Sequence, residues 1–272
     1  MKKIIYDLGS NNGDDIPYYL LKADLVIAVE ANPDLCKSIE SKFKSEILEK
    51  RLIVECCVIN DTTNHGKVPF YIHKYNHVLS QFPEPEKDIL QNFNKILLPS
   101  KSVSQIIAAH GIPYYIKIDI EHFDTQILRA LFQHNIYPPY ISAESHSIEV
   151  FALLVSQGKY NSFKLVEGSE VSSIYSNQCL STNQGEISYS FPHHSAGPFG
   201  DDIHGDWIQA DHFIRLLSLK GLGWKDIHAT SVREVNPTLT LTNRKLIMCL
   251  IYNHIKFKFH QFKKKFTQMK KV

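Results

Sequence analysis

Short apolar runs alternate with segments of helical spacing along the first two thirds of this 272-residue chain. The apolar runs have the length and composition of strands that are buried on both faces of a sheet. We predict strands at residues 4–8, 25–29, 52–59, 114–118, 140–143 and 163–166, and an added hairpin at 68–72. We predict helices from residue 14 onward and at residues 35–48, 102–110, 125–132 and 148–157. This order of strands and helices predicts a doubly wound α/β sheet.

The first predicted strand runs directly into a glycine turn with the sequence DLGSNNG. Gly9 and Gly13 bracket residues suited to a tight turn, and a strand, a turn and a helix form half of a nucleotide-binding unit. The turn lacks the third glycine of a dinucleotide site, and Asp14 and Asp15 at the helix N-terminus would repel a diphosphate. Glu30 closes the second strand, where it can accept hydrogen bonds from both ribose hydroxyls. These residues predict a site for a nucleoside that carries a cationic group.

Composition and charge limit the class of protein. A hydrophobic content of 43% and a charged content of 21% are ordinary for one globular domain. Five cysteines without Cys-x-x-Cys spacing predict reduced thiols in the cytoplasm. We predict neither a signal peptide nor a run that spans a bilayer. The net charge of +2 combines an acidic body with a basic tail, which argues against a nucleic-acid partner bound across the domain.

The chain resembles the FkbM family of S-adenosylmethionine-dependent methyltransferases in the segments YDLGSNNGDD, VIAVEANPDLC and YIKIDIEHFDTQIL, and in the hairpin GKVPFYI. The resemblance covers residues 4–167, and KIDIE is its most specific part. It implies the class I methyltransferase fold, which is a Rossmann-like, doubly wound, mostly parallel sheet of seven strands. It also implies O-methylation of a sugar or glycoconjugate hydroxyl. One departure is His122, which stands where the family usually has the glycine of KIDVEG.

The same resemblance assigns residues to the cofactor S-adenosylmethionine. The glycine turn would line the methionine and the ribose, Glu30 would bind the ribose diol, and Asp61 would contact adenine. The residues assigned to the cofactor in this way are Asp7, Gly9, Ser10, Asn11, Gly13, Glu30, Asn32, Asp61 and Asp119.

Acidic and histidine side chains follow two predicted strands, at the carboxyl edge where a parallel sheet places reacting groups. Methyl transfer to a hydroxyl requires alignment of the acceptor and removal of its proton. We interpret His122 or His146 as the general base and Asp119 as the residue that orients the acceptor or the base. The predicted catalytic residues are Asp119, His122, Glu144 and His146. The alternative is that these side chains only hydrogen-bond the loops together.

Two groups of side chains in the sequence are of the types that bind metal ions. Asp119 and Glu144 could hold Mg²⁺ together with substrate hydroxyls, so the sequence leaves the metal requirement open. A histidine-rich segment at residues 193–212 also contains Asp201, Asp202 and Asp206, but its spacings match no compact zinc site.

Residues 168–224 are predicted to be mainly loop, within a methyltransferase domain of residues 1–242. A long loop region with glycine hinges predicts a lid that closes over the acceptor. A plain surface loop is the alternative.

Residues 243–272 contain nine Lys or Arg and no acid. Apolar residues from Met248 to Met269 recur every three or four positions, which predicts an amphipathic helix with a narrow apolar stripe. Such a helix either docks on the domain or lies in a membrane interface, with its lysines on anionic headgroups. The second interpretation predicts a cytoplasmic enzyme that is peripheral on the inner face of the membrane.

Two other functions stay open from the sequence. One is a catalytically inactive, methyltransferase-like binding module, which would bind the cofactor without turnover. The other is an NAD(P)-dependent oxidoreductase, which the missing third glycine disfavours. The sequence leaves the acceptor, the methylated position and the oligomeric state undetermined.

Overall fold

The computed structural model describes residues 2–60, 66–182, 185–233 and 235. The strands in these ranges are β1 Ile4–Leu8, β2 Leu25–Glu30, β3 Leu52–Cys56, β4 Val58–Ile59, β5 Lys67–His73, β6 Phe93–Lys101, β7 Tyr115–Ile118, β8 Tyr140–Ser145, β9 Ser162–Glu167, β10 Gln178–Thr182, β11 Gly185–Tyr189, β12 Ile208–Gln209 and β13 Gly223–Thr230. The α-helices are α1 Ile16–Lys22, α2 Pro33–Lys42, α3 Lys44–Leu48, α4 Val103–His110, α5 Asp124–Gln133, α6 Ile148–Ser156, α7 Val171–Ile174 and α8 Ala210–Lys220.

A central sheet has eight strands in the order β12-β9-β13-β8-β7-β1-β2-β3. The strands β3, β2, β1, β7 and β8 are mutually parallel, in the 3-2-1-4-5 order of a Rossmann-like sheet. Between β8 and β9, β13 runs antiparallel to both. This is the class I methyltransferase arrangement, so the predicted fold is confirmed. The eighth strand, β12, is a two-residue antiparallel addition beside β9.

Side chains alternate between the two faces of the sheet. Along β1, Tyr6 and Leu8 join the apolar core under α4, α5, α6 and α8, whereas Ile5 joins the core under α1 and α2. The sheet is therefore buried on both faces, as its nearly continuous apolar runs predict. Alternation puts Asp7 on the same face as Ile5, where Lys117 of β7 is its register partner.

The predicted strand at 52–59 is divided in two. β3 stays in the central sheet, whereas β4 leaves it and pairs with β6. The backbone N–H of Cys57 between them donates to the carbonyl of Glu30 at 3.1 Å. β6 also pairs antiparallel with β5, so the hairpin predicted at 68–72 is confirmed and is longer than predicted.

The segment 168–224, predicted to be mainly loop, contains α7, the hairpin of β10 and β11, β12 and α8. Phe213 and Leu217 of α8 are buried one turn apart, a spacing visible in the sequence that our prediction overlooked. The earlier part of the segment packs on the face of α1. There the ring of Phe199 stacks on Tyr115 with centroids 4.1 Å apart, and Tyr18 donates to Asp202 at 2.7 Å.

In the described part of the chain, no helix combines the length and the apolar character needed to cross a membrane. The amphipathic helix predicted at 243–272 lies outside the described residues.

Candidate functional site

A cavity opens at the carboxyl ends of β1, β2 and β7, where the glycine turn, Glu30 and the loop after β7 meet. Its volume, including the part open to solvent, is ≈ 720 Å³. The polar residues that line it are Asn11, Glu30, His77, Ser80, Asp119 and Glu121. Its apolar wall includes Val58, Ile59, Phe70 and Phe82.

The glycine turn is fixed to the ends of its two neighbouring strands. The N–H groups of Gly9 and Ser10 donate to the carbonyl of Val29 at 2.9 and 3.0 Å. On the other side, the N–H of Asp119 donates to the carbonyl of Leu8 at 2.9 Å. The turn is therefore part of the sheet edge, and its position depends on both β2 and β7.

Glu30 is oriented by two backbone donors. Its Oε2 accepts from the N–H of Asn11 at 2.8 Å, and its Oε1 accepts from the N–H of Asn32 at 2.7 Å. Asn32 in turn caps α2 by accepting from Asp34 at 3.0 Å. A carboxylate has about four acceptor positions, so Glu30 can still accept two more hydrogen bonds from the cavity. Burial raises the pKa of Glu30 to about 7, although the two donors lower it.

Asn11, which also lines the cavity, has a side-chain oxygen without a hydrogen-bond partner among the described residues. The Oδ1 atom of Asn11 is buried, and no described residue donates a hydrogen bond to it. An orphaned buried acceptor is costly, so a donor from a bound molecule would stabilise it.

Charged side chains gather around Glu121, which lines the cavity beside Asp119. His146 pairs with Glu144 at 2.8 Å, and this hydrogen bond raises the pKa of His146 to about 9. His146 is therefore mainly protonated at neutral pH, which argues against it as the general base. Its Nε2 lies 4.0 Å from Glu121 Oε2, and the Nε2 of His122 lies 3.9 Å from the same atom. His122 has a φ of 62°, so it occupies the left-handed conformation that favours the family's glycine.

A buried lysine, Lys117, joins the glycine turn to the loop after β7. Lys117 Nζ lies 3.1 Å from Asp119, 3.4 Å from Asp7 and 3.8 Å from Asp15. It also donates to the carbonyl of Gly9 at 3.5 Å. Burial alone would lower the pKa of Lys117, but the carboxylates of Asp119, Asp7 and Asp15 raise it well above its ordinary value.

The structure places the predicted cofactor residues at different depths. Gly9, Asn11, Glu30 and Asp119 line the cavity. Four others lie outside its lining: Asp7, Ser10, Gly13 and Asn32. Of these, Ser10 donates to the carbonyl of Asp7, and Asn32 caps α2. Asp61 lies outside the described residues. Their contacts with a cofactor stay predictions.

The predicted catalytic residues are close together, but only Asp119 lines the cavity. His122, Glu144 and His146 surround Glu121, which does line it and which the predicted catalytic set omitted. The sequence signal for Glu121 was available, because it is the last residue of the KIDIE segment.

Asp14 and Asp15 do not line the cavity, so the predicted repulsion of a diphosphate by these residues lacks the required geometry. Asp15 is buried and accepts from the Ser195 hydroxyl and from the N–H of Ala196. Asp14 accepts from the side chain of Asn12 at 2.8 Å.

The cavity is covered by the connection between β5 and β6, which contributes His77, Val78, Ser80 and Phe82. The described residues of 168–224 contribute nothing to its lining. A lid role for 168–224 stays a prediction. In this structure the earlier part of the segment packs on the face of α1, and α8 packs on the opposite face of the sheet.

Within the described ranges, no group of three or more His, Cys, Asp or Glu is arranged to hold a metal ion. The histidines of the segment 193–212 have separate partners. His204 bonds Gln178 at 2.7 Å, and His212 bonds Asp211 at 2.9 Å.

The sequence matches no protein-family model and no curated protein. Several solved structures are similar in fold. The methyltransferase FkbM from Methylobacillus flagellatus KT has 14% identity and a TM-score of 0.41, and covers 61% of this chain and 40% of its own. Precorrin 8w decarboxylase from Methanobacterium thermoautotrophicum has 9% identity and a TM-score of 0.39, and covers 85% and 82%. A SAM-dependent O-methyltransferase from Thermotoga maritima has 10% identity and a TM-score of 0.36, and covers 86% and 61%.

This chain therefore spans less than half the length of the FkbM structure. At these scores the fold rests on the strand order described above, and a function has to be argued from the cavity.

Proposed function

We propose that this chain is an S-adenosylmethionine-dependent methyltransferase that methylates a hydroxyl of a sugar or glycoconjugate. The observation that carries the first part is Glu30, a carboxylate at the end of β2 that faces the cavity beside the glycine turn. The choice of acceptor is supported by the resemblance of the KIDIE segment to the FkbM family.

The residues of the cavity suit each part of this cofactor. Glu30 has acceptor positions left for both ribose hydroxyls. The apolar wall of Val58, Ile59 and Phe70 suits the flat adenine ring. The orphaned Oδ1 of Asn11 suits a donor such as the methionine ammonium group.

When bound, S-adenosylmethionine supplies a methyl group that its sulfonium already activates. The protein then has to bind the acceptor hydroxyl in line with that methyl group and exclude water. The hairpin of β5 and β6 covers the cavity and limits access of solvent. The ion pair of Asp119 with Lys117 at 3.1 Å supports a role of Asp119 in orienting an acceptor hydroxyl.

We expect Glu30→Ala to weaken the binding of S-adenosylmethionine by roughly 10- to 100-fold, because hydrogen bonds to a charged group contribute about 1.5–3 kcal/mol. The measurement is titration calorimetry. The matched control is Glu49→Ala, which removes an exposed carboxylate outside the cavity lining. Unchanged affinity in Glu30→Ala would contradict the placement of the ribose, and an absence of binding by the unmodified chain would contradict the function.

We also expect the affinity of the unmodified chain for this cofactor to rise several-fold between pH 6 and pH 8. The pKa of Glu30 is about 7, and the ionised carboxylate is the better acceptor for two hydroxyls. Glu30→Gln should bind weakly with a flatter pH dependence. An equal pH dependence in both proteins would show that another group is responsible.

The same titrations separate the alternatives. An inactive binding module would bind S-adenosylmethionine but give no methylated product from labelled cofactor and a fractionated glycan pool. An oxidoreductase would bind NAD(P) in preference, which the glycine turn disfavours.

Association with a membrane is a further part of the proposal, and the sequence pattern of residues 243–272 supports it. We expect the full chain to float with anionic liposomes at low salt and to be released at high salt, because lysines near anionic headgroups contribute about 1 kcal/mol each and salt screens them. A version ending at Thr242 is the control and should not float. A full chain that stays with the unbound protein at low salt would contradict membrane association.

A further inference from the structure

Glu121 lies where the loop after β7 meets the cavity. It lines the cavity together with Asp119, and its side chain is 20% exposed. The titratable and charged groups near it are Asp119, His122, Glu144 and His146, and His77 of the covering hairpin lines the same cavity.

Two acidic neighbours of Glu121 are already paired with basic side chains. Asp119 is paired with Lys117 at 3.1 Å, and Glu144 is paired with His146 at 2.8 Å. The contacts of Glu121 with His122 and His146 are 3.9 and 4.0 Å, which is longer than a hydrogen bond. Of the three carboxylates that line the cavity, Glu30, Asp119 and Glu121, Glu121 is thus the one without a described partner at hydrogen-bond distance, so it is available to accept a proton from a bound acceptor.

We propose that Glu121 is the general base of the methyl transfer and that the pair of Glu144 and His146 positions and tunes it. This inference rests on the proposed function. As the acceptor oxygen bonds the methyl carbon, the carbon–sulfur bond breaks and the sulfonium becomes a neutral thioether. The acceptor proton moves to the Glu121 carboxylate, so the positive and the negative charge disappear together, and the proton later passes to water.

The electrostatics of the cluster agree with this geometry. Burial raises the pKa of Glu121 to about 7, the charge of His146 lowers it, and the charges of Glu144 and Asp119 raise it. A base is most effective when its pKa lies near the working pH. Without the nearby cation of His146, Glu121 would hold its proton to a higher pH.

The test begins with Glu121→Gln, which keeps the shape of the side chain and removes the base. With labelled S-adenosylmethionine and a fractionated glycan pool, we expect kcat to fall by about 10²- to 10⁴-fold. Affinity for the cofactor, measured by calorimetry, should stay within about twofold. Glu49→Gln is the matched control, because its carboxylate is exposed and lies outside the cavity lining.

His146→Gln tests the positioning role through a shift that a merely structural role would not produce. We expect the acid limb of the pH–rate profile to move to higher pH, because the cation that favours ionised Glu121 is gone. Carbon NMR of glutamate labelled at Cδ gives a readout without the acceptor. The resonance that is missing in Glu121→Gln should titrate near pH 7 in the unmodified chain and at higher pH in His146→Gln.

The outcomes separate this inference from the proposed function. If the unmodified chain forms product and Glu121→Gln keeps more than a tenth of its kcat, the base role is wrong while the methyltransferase stands. If the acid limb and the resonance do not move in His146→Gln, the positioning role is wrong. An unmodified chain that binds the cofactor without forming product would overturn both.

Discussion

Replacing Lys117 with Met should lower the free energy of unfolding by about 3–5 kcal/mol at pH 8. Lys117 is nearly fully buried, and its Nζ lies within 4 Å of Asp7, Asp15 and Asp119. Removing one partner of a buried ion pair leaves the other charges buried without compensation, which is strongly destabilising. Met keeps the volume of the lysine stem, so the loss reports the missing charge more than a cavity.

The loss should shrink as the pH is lowered towards 5. Without Lys117, the pKa of the buried carboxyls of Asp7 and Asp15, which burial already raises, should rise further. The folded variant then binds protons more tightly than the unfolded chain, so its stability increases as the pH falls towards the ordinary carboxyl pKa. Urea unfolding at pH 5 and pH 8 measures both effects.

Two controls make this result specific to the buried cluster. Lys37→Met removes an exposed lysine that pairs with Asp34 at 3.6 Å, and should cost less than about 0.5 kcal/mol. Combining Asp7→Asn with Lys117→Met should recover part of the loss, because one of the unpaired charges is removed with the lysine. An equal loss at both pH values, or one no larger than that of Lys37→Met, would contradict the role of the cluster.

The parallel strands of the sheet and the glycine turn could be predicted from the sequence because their signals are local. β1 and β2 each contain a run of apolar residues, and Gly9 and Glu30 stand at the ends of these runs. The split at Cys57 was missed for the same reason, since 52–59 reads as one apolar run although β4 pairs with a distant strand. β13 lies outside the predicted strands, since its sequence GWKDIHAT contains no continuous apolar run.

The ion cluster of Lys117 with Asp7, Asp15 and Asp119 depends on pairing between distant parts of the chain, so local sequence patterns do not show it. A partial signal was present, because Asp7 and Lys117 are each a single charge inside an apolar strand. A buried charge without a partner is energetically very costly. The pairing of Asp7 with Lys117 could therefore have been inferred once β1 and β7 were placed side by side.

The cover of the cavity had no such signal. Its residues His77, Ser80 and Phe82 come from a polar, irregular stretch, and only the path of the hairpin of β5 and β6 brings them over Glu30. The lid was predicted instead in 168–224, where length and glycine hinges suggested it. Neither feature shows which face of the sheet a segment covers. The earlier part of this one packs beside α1, and its helix α8 packs on the opposite face.

Gly9→Ala should be the most damaging small substitution in the glycine turn. Gly9 has a φ of +89°, and a Cβ at this position would lie 1.9 Å from the carbonyl oxygen of Asp119. That oxygen belongs to the backbone just after β7, so relief of the clash has to separate the glycine turn from the loop after β7. We expect a loss of more than about 3 kcal/mol in the free energy of unfolding, from backbone strain of about 1–3 kcal/mol plus the displacement.

Substitutions at two other glycines separate the contribution of backbone strain from that of the steric clash. Gly205 has a φ of +79° with no atom near its would-be Cβ, so Gly205→Ala measures backbone strain alone. Gly66 has neither a positive φ nor a close neighbour, so Gly66→Ala should be nearly neutral. Urea unfolding should therefore rank the losses in the order Gly9, Gly205, Gly66. If Gly9→Ala also weakens S-adenosylmethionine binding by more than tenfold, contact between the turn and the Asp119 loop is needed for the site as well as for the fold. A loss at Gly9 no larger than at Gly205 would show that the two backbones can move apart without harm, and that this contact does not define the site.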